Sequence, residues 1–348
     1  MPCQPRATAI LLLLLTSVGM PSIGVAKQPV VTAVPAPAPQ LVTLSNGSQS
    51  YAFAVYANAR LDNDQRNASI TRVIVLEHGV KRNGDTYYQT GLQLLQRAQL
   101  DPAHNLLLVP NFMTANDAFA NRAMPLWRGG DWMQGNASTQ GQRGLSSLSV
   151  FDDLASFVAD GRYPALKEIL FIAHSAGAQL LQRYAVLNDS EERLKQAGIH
   201  VRYVISSPSS YLYLDNQRPR EEGFAVPDGN ACPTYNDYRY GLDNMIAYGR
   251  GKDGEQLFRR YAARDVTYLV GSKDNNPEHR FLDRDCGAEA QGSQRLQRQQ
   301  NYLRYEQLLA QQWHTPVQRV HFVVPGIGHD ANGLFNSALT IEKIFPGQ

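Results

Sequence analysis

The stretch that most narrows what this chain can fold into is KEILFIAHSAGAQL at 167–180. Leu170, Phe171, Ile172 and Ala173 form an apolar run too short for a stable helix and suited to a buried strand. Beyond it Leu180, Leu181, Tyr184, Ala185 and Leu187 recur at helical spacing. Between the two lies Ala173-His174-Ser175-Ala176-Gly177. Small residues stand two positions either side of a serine, as in the G-x-S-x-G elbow, with Ala173 in place of the first glycine. A strand entering a helix through so tight a turn projects the serine hydroxyl clear of the chain, where a base can reach it. A serine capping the helix explains the same five residues, and the pentapeptide alone does not separate the two readings.

The rest of the chain sets bounds. Its 348 residues suffice for one large α/β domain or two small ones, and 43% hydrophobic with 18% charged residues excludes a disordered chain. A formal net charge of +2 gives no electrostatic case for a nucleic-acid partner. Arg6, the apolar run Ala9 to Val18 and the small residues Gly24-Val25-Ala26 read as a signal peptide over residues 1–26, cleaved near Ala26. That apolar run is short for a membrane span, so no stable span is expected after cleavage and the destination is secreted or periplasmic. Residues 27–40, with Pro29, Pro35, Pro37 and Pro39, read as an extended linker, leaving 41–348 as a single domain. In an oxidising compartment the remaining cysteines, Cys232 and Cys286, are expected to pair. Closing a loop of about 54 residues contributes about 4 kcal/mol in the chain-entropy model. No metal-site spacing occurs in the sequence, so neither a metal nor a cofactor is expected.

Strand signals occur at Tyr51 to Tyr56, Arg72 to Glu77, Asn105 to Val109, the opening stretch, Val201 to Ser206, Val266 to Val270 and Val317 to Val324. Helical patterns separate most of them, including one at 291–312 and a closing helix from Leu334 to Ile344. Residues 111–146 and the tyrosine-rich 212–260 carry no clear period, and the latter reads as a cap-like insertion. Alternating strands and helices predict a mostly parallel sheet covered by helices on both faces, with its ligand site at the carboxyl ends of the strands.

Those ends carry chemistry. His78-Gly79 follows one strand, Ser175 the next, Gly271-Ser272-Lys273-Asp274 a third, and Gly328-His329 the last. Serine, acid and histidine thus occur in that order, each just past a strand. With these motifs the chain resembles the α/β-hydrolase superfamily over about residues 50–345. The resemblance implies Ser175 as nucleophile, His329 as general base and Asp274 as the acid that orients it. It also implies an oxyanion hole from the backbone N–H groups of Ala176 and Val80. Asp283, Asp285 and Asp330 compete with Asp274, and His321 competes with His329. Asp330 reads otherwise as a helix cap, and His321 lies inside a strand. His174 reads as support for the elbow. Glu77 is unusual at a strand end and has Lys81 or Arg82 as possible partners. Trp127, Trp132 and Tyr211 sit on loops after strands and are candidate substrate contacts, with packing of long loops as the competing explanation.

The expectation is an exported serine hydrolase that cleaves carboxylic esters, small or polymeric, through an acyl-enzyme. An amide or peptide hydrolase and a polyester depolymerase share the same triad. A non-catalytic binding protein on the same scaffold is the reading from another class.

Overall fold

Alternation within the strands decides how the sheet is covered. The computed structural model describes residues 1–2, 38–61 and 66–347. Eight strands form one sheet: β1 Gln40–Ser45, β2 Ser50–Ala57, β3 Arg72–Glu77, β4 Asn105–Pro110, β5 Glu168–His174, β6 His200–Ser206, β7 Asp265–Gly271 and β8 Val320–Val324. Their order across the sheet is β1-β2-β4-β3-β5-β6-β7-β8. The β1–β2 and β2–β4 pairs are antiparallel; every other pair is parallel. Val73, Val75, Ile169 and Phe171 point into one hydrophobic cluster, while Ile74, Leu76, Leu170 and Ile172 point into the other. Both faces are therefore buried, as parallel sheets require.

The covering helices are α1 Gly84–Arg97, α2 Ser147–Ala159, α3 Ala176–Leu187, α4 Glu191–Gln196, α5 Gly254–Ala262, α6 Cys286–Glu289, α7 Arg295–Gln312, α8 Ala331–Phe335 and α9 Ala338–Ile344. Phe151, Leu180, Phe258 and Tyr305 bring α2, α3, α5 and α7 onto the first face. Leu94, Phe335 and Ile344 bring α1, α8 and α9 onto the second. This is the mostly parallel, doubly covered sheet expected from the sequence.

Several boundaries differ from expectation. β1 begins at Gln40, inside the stretch assigned to the linker. The last strand starts at Val320 and not Val317. The closing helix is two helices, because Ser337 leaves the helical conformation and caps α9 by accepting from Thr340 N–H. Within 212–260 begins α5, capped by Asp253 and burying Leu257, Phe258 and Tyr261 on one side. That segment is also tied into the body of the fold. The Leu212 carbonyl accepts from Tyr302 Oη at 3.0 Å, and the Tyr213 and Tyr305 rings lie 4.3 Å apart. Buried Arg218 donates to the carbonyls of Tyr235 and Tyr240, each at 3.1 Å.

Cys232 and Cys286 are joined by a disulfide, Cα atoms 5.8 Å apart, linking this segment to α6. The expected signal peptide and most of the expected linker lie outside the described residues. Among the described residues no helix is long and apolar enough to cross a membrane.

Candidate active site

Ser175 stands between β5 and α3 with φ 60° and ψ −119°, backbone angles that a residue with a side chain rarely adopts. The conformation is held from both sides. Ser175 N–H donates to the Ser206 carbonyl at 2.9 Å, and Gln179 N–H donates to the Ser175 carbonyl at 3.0 Å. The hydroxyl makes no capping bond to α3. The helix-cap explanation is thereby removed. A Cβ at Gly177 would collide with the His78 carbonyl oxygen and the Glu77 side chain, so the turn closes only with glycine there. Ala173 is fully buried in the place of the first glycine, where a methyl group fits.

His329, on the loop after β8, lies with Nε2 2.8 Å from Ser175 Oγ. Its Nδ1 lies 2.8 Å from Asp274 Oδ2 at the end of β7. One tautomer satisfies both contacts: Nδ1–H donates to the carboxylate and Nε2 accepts from the serine hydroxyl. Burial depresses the His329 pKa below the ordinary imidazole value. The Asp274 hydrogen bond pulls the other way without cancelling it, and the Arg295 charge adds to the depression. For Asp274 burial opposes ionisation. The His329 hydrogen bond and charge outweigh it together with the Arg295 charge, so its carboxyl lies below the usual range.

The rival residues point elsewhere. Asp283 accepts from Tyr240 Oη at 3.0 Å, and Asp285 pairs with Arg239 at 2.5 Å. Asp330 caps α8 by accepting from the N–H groups of Asn332 and Gly333. His321 is on the solvent side of β8.

The loop after β3 approaches the serine closely. A Cβ at Gly79 would lie 3.7 Å from Ser175 Cβ and 2.9 Å from Tyr87 Oη. His78 braces this loop. Phe112 N–H donates to its Nε2 at 3.1 Å, so its proton is on Nδ1 and goes to the Gly79 carbonyl at 2.9 Å. Burial pushes the His78 pKa down to about 4 and raises Glu77 well above the carboxylate range. The two side chains, 3.3 Å apart, are therefore a neutral pair and not an ion pair. Of the two cations considered for Glu77, Arg82 pairs with Asp117 at 3.1 Å and Lys81 lies over the Phe281 ring. His174 is buried beside the site, its ring 4.4 Å from that of His329 and its Nδ1 3.0 Å from Tyr87 Oη. Among the described residues the N–H of Val80 has no hydrogen-bond partner, and that of Ala176 is the first of α3, where no intrahelical acceptor exists.

No family model matches this sequence, and no curated protein matches it. Solved structures do. LpqC, a poly(3-hydroxybutyrate) depolymerase from Bordetella parapertussis, superposes with a TM-score of 0.61 at 21% identity, over 89% of this chain and 91% of that one. Poly(aspartic acid) hydrolase-1 from Sphingomonas sp. KT-1 superposes with a TM-score of 0.57 at 18% identity, over 85% of this chain and 95% of that one. The chain has the α/β-hydrolase fold.

On this α/β-hydrolase sheet, Ser175, Asp274 and His329 gather at the carboxyl edge, where open α/β sheets hold their ligands. Two cavities of about 320 Å³ each meet at Ser175. One is lined by Tyr87, His174, His279, His329 and Asn332. The other is lined by Met133, Ala176, Gln179, Ser209 and Arg239. Val80 and Phe281 border both and divide them. A larger groove of about 840 Å³ lies at the opposite edge, beside Arg264 to Val266 and Gln318 to Val320, far from these side chains.

Trp127, Trp132 and Tyr211, expected as substrate contacts, line neither cavity and are fully buried. Trp132 packs against His78 at 4.7 Å and stacks on Phe112 at 5.2 Å, and Tyr211 stacks on Tyr302 at 4.4 Å. Large apolar rings on these loops gain more from packing under the sheet edge than from facing water. The residues that do line the cleft, His279, Phe281, Gln179 and Asn332, carried no signal in the sequence. Each reaches the site from a loop or helix whose position only the tertiary fold sets.

Proposed function

We propose that this chain is a serine hydrolase of carboxylic esters, working through an acyl-enzyme at Ser175. The observation that supports it most is the relay on a strained turn: Ser175 Oγ 2.8 Å from His329 Nε2, and His329 Nδ1 2.8 Å from Asp274. His329 takes the hydroxyl proton as Ser175 Oγ bonds to the ester carbon and the carbonyl electron pair moves onto oxygen. The N–H groups of Ala176 and Val80 receive that oxyanion, and removing one such donor typically costs about 100-fold or more. Collapse expels the alcohol oxygen, which takes the proton from His329 Nε2. Water then repeats the sequence and releases the acid. Since His329 protonates the leaving group, the cavity lined by His329 and His279 receives the alcohol part. The cavity lined by Ala176, Gln179 and Met133 receives the acyl part.

Two cavities meeting at the serine favour a substrate that continues on both sides of the scissile bond. That geometry supports a second reading, a hydrolase of polymeric esters or amides. The two similar structures, a poly(3-hydroxybutyrate) depolymerase and a poly(aspartic acid) hydrolase, lean the same way. The disulfide suits an oxidising compartment, so export with a leader ending near Ala26 is part of the proposal.

A fluorophosphonate probe should label the wild-type chain at Ser175 and should not label Ser175→Ala. Labelling that survives the substitution sinks the assignment. A chain-length series of nitrophenyl esters beside a matched anilide separates the ester from the amide reading, with the ester turned over at least about 100-fold faster if the first reading holds.

A further inference from the structure

Arg295 opens α7, and its side chain is 1% exposed. A guanidinium stays charged at every ordinary pH, so burying one is unfavourable unless its donors are met. Here they are met by the residues around the serine. Nε donates to Ser209 Oγ at 3.1 Å. One terminal nitrogen donates to Asp274 Oδ1 at 3.3 Å and to His279 Nδ1 at 3.2 Å. The other donates to the Phe281 carbonyl at 2.7 Å. Arginine has no acceptor, so His279 Nδ1 is unprotonated and its proton sits on Nε2. Phe281 N–H also donates to His279 Nδ1, at 3.3 Å.

One planar fork thus fixes the acid that orients His329 and three residues of the cleft wall, His279, Phe281 and Ser209. A purely structural plug at this point would need no charge, and a single ammonium cannot reach four acceptors spread in a plane. Resting on the serine-hydrolase reading, we propose that Arg295 is a positioning residue for the reaction: it holds Asp274 with its second oxygen toward His329, holds the His279–Phe281 wall, and sets a permanent positive charge behind the relay. The other groups facing His329 are Asp274, Asp330, His174, His279 and, across the cleft, Lys81. Asp274 and Asp330 favour the imidazolium, while Arg295 opposes it. His174 is held neutral by burial, and His279 is depressed by burial and by Arg295.

The test compares Arg295→Gln, which keeps donors and loses the charge, with Arg295→Lys, which keeps the charge and loses the fork. Both are purified with the disulfide intact and checked by circular dichroism. The readout is kcat/KM for a short nitrophenyl ester against pH. The Gln variant should lose about tenfold or more in kcat/KM, and its acid limb should move to higher pH by about half a unit or more. The Lys variant should lose a similar factor with its midpoint within about 0.2 units of wild type. A Gln variant with the wild-type midpoint, or a Lys variant with wild-type kcat/KM, overturns the proposal. Should the Gln variant not fold, Ser209→Ala carries the test. It removes the Nε acceptor and no charge, so kcat/KM should fall about threefold or more with the midpoint unmoved, and an unchanged kcat/KM overturns the proposal. A wild-type chain that no fluorophosphonate labels sinks the hydrolase reading itself. A labelled wild type with unaltered Arg295 variants sinks only the role of Arg295.

Discussion

Asp274→Asn tests the relay at its most informative point. The Asp274 and His329 side chains are 3% and 9% exposed, so solvent does little to screen their interaction. As Ser175 gives up its proton, His329 becomes an imidazolium beside the carboxylate. With charges centred about 4 Å apart and an effective dielectric near 20, the carboxylate stabilises that state by about 4 kcal/mol. At about 1.4 kcal/mol per decade, losing it lowers turnover about a thousandfold. An asparagine that turns its NH₂ toward Nδ1 adds to the loss, because the ring proton then moves to Nε2 and blocks it as a base.

The assay is kcat/KM for a short nitrophenyl ester at a pH well above the acid limb, beside the rate of fluorophosphonate labelling. Both should fall together, with KM little changed. The same substitution leaves Arg295 buried without its counter-charge. The melting temperature should therefore fall too, and circular dichroism must show a folded protein at the assay temperature. Asp101→Asn is the control, since that carboxylate is 62% exposed, faces His104 and lines neither cavity; it should stay within about threefold of wild type. A folded Asp274→Asn protein that loses less than about tenfold would refute the relay as the source of catalysis.

Four further outcomes follow from the same structure. Activity should rise with pH through a midpoint below the ordinary imidazole value of about 6.5, because burial depresses His329 and the free base is the active form. The buried imidazoles subtract stability as pH drops below about 6.5. Unfolded imidazoles bind protons there while buried His78, His174 and His329 still refuse them. Asp274 adds a further loss only below about pH 4, as its depressed pKa is approached. Buried Glu77 acts with the opposite sign, since its raised pKa adds stability as pH falls toward the ordinary carboxylate range. Glu77→Gln should therefore lose more melting temperature than wild type between about pH 7.5 and about pH 5, and an equal loss would contradict this linkage. Gly177→Ala should destabilise the fold by about 1–3 kcal/mol and abolish labelling of Ser175, since the new methyl group meets the His78 carbonyl; a wild-type melting curve would refute the steric argument. Cys232→Ser with Cys286→Ser opens a loop of sequence separation 54 and should cost about 4 kcal/mol in thermal unfolding. Because Cys286 directly follows Asp285 in the cleft wall, KM should also rise. If the double variant keeps both its melting temperature and its activity, the bridge has no part in holding that wall.

By itself the sequence determined seven of the eight strands, all but β1, with the elbow and the three residues gathered at it. The physical reason is locality. Apolar runs such as Val73 to Leu76 and Leu170 to Ala173 carry their own strand signal. Ser175, Asp274 and His329 each lie within a few residues of a strand end. A parallel sheet brings all its carboxyl ends to one edge, so chain order alone implied their meeting.

What surrounds those residues was decided by the tertiary structure. Arg295 sits on a Gln- and Arg-rich helix, and nothing local marks it as buried, because its partners are 21 residues away at Asp274 and 86 away at Ser209. For Trp127 and Trp132 the sequence left substrate contact and loop packing both open, and the fold chose packing by bringing the loop under the sheet edge. For Glu77 the sequence left open an ion pair or a tuning role, and burial made it a neutral acid behind the elbow. Burial, protonation and the choice of partner depend on which distant segments come into contact, and no local period or spacing encodes that.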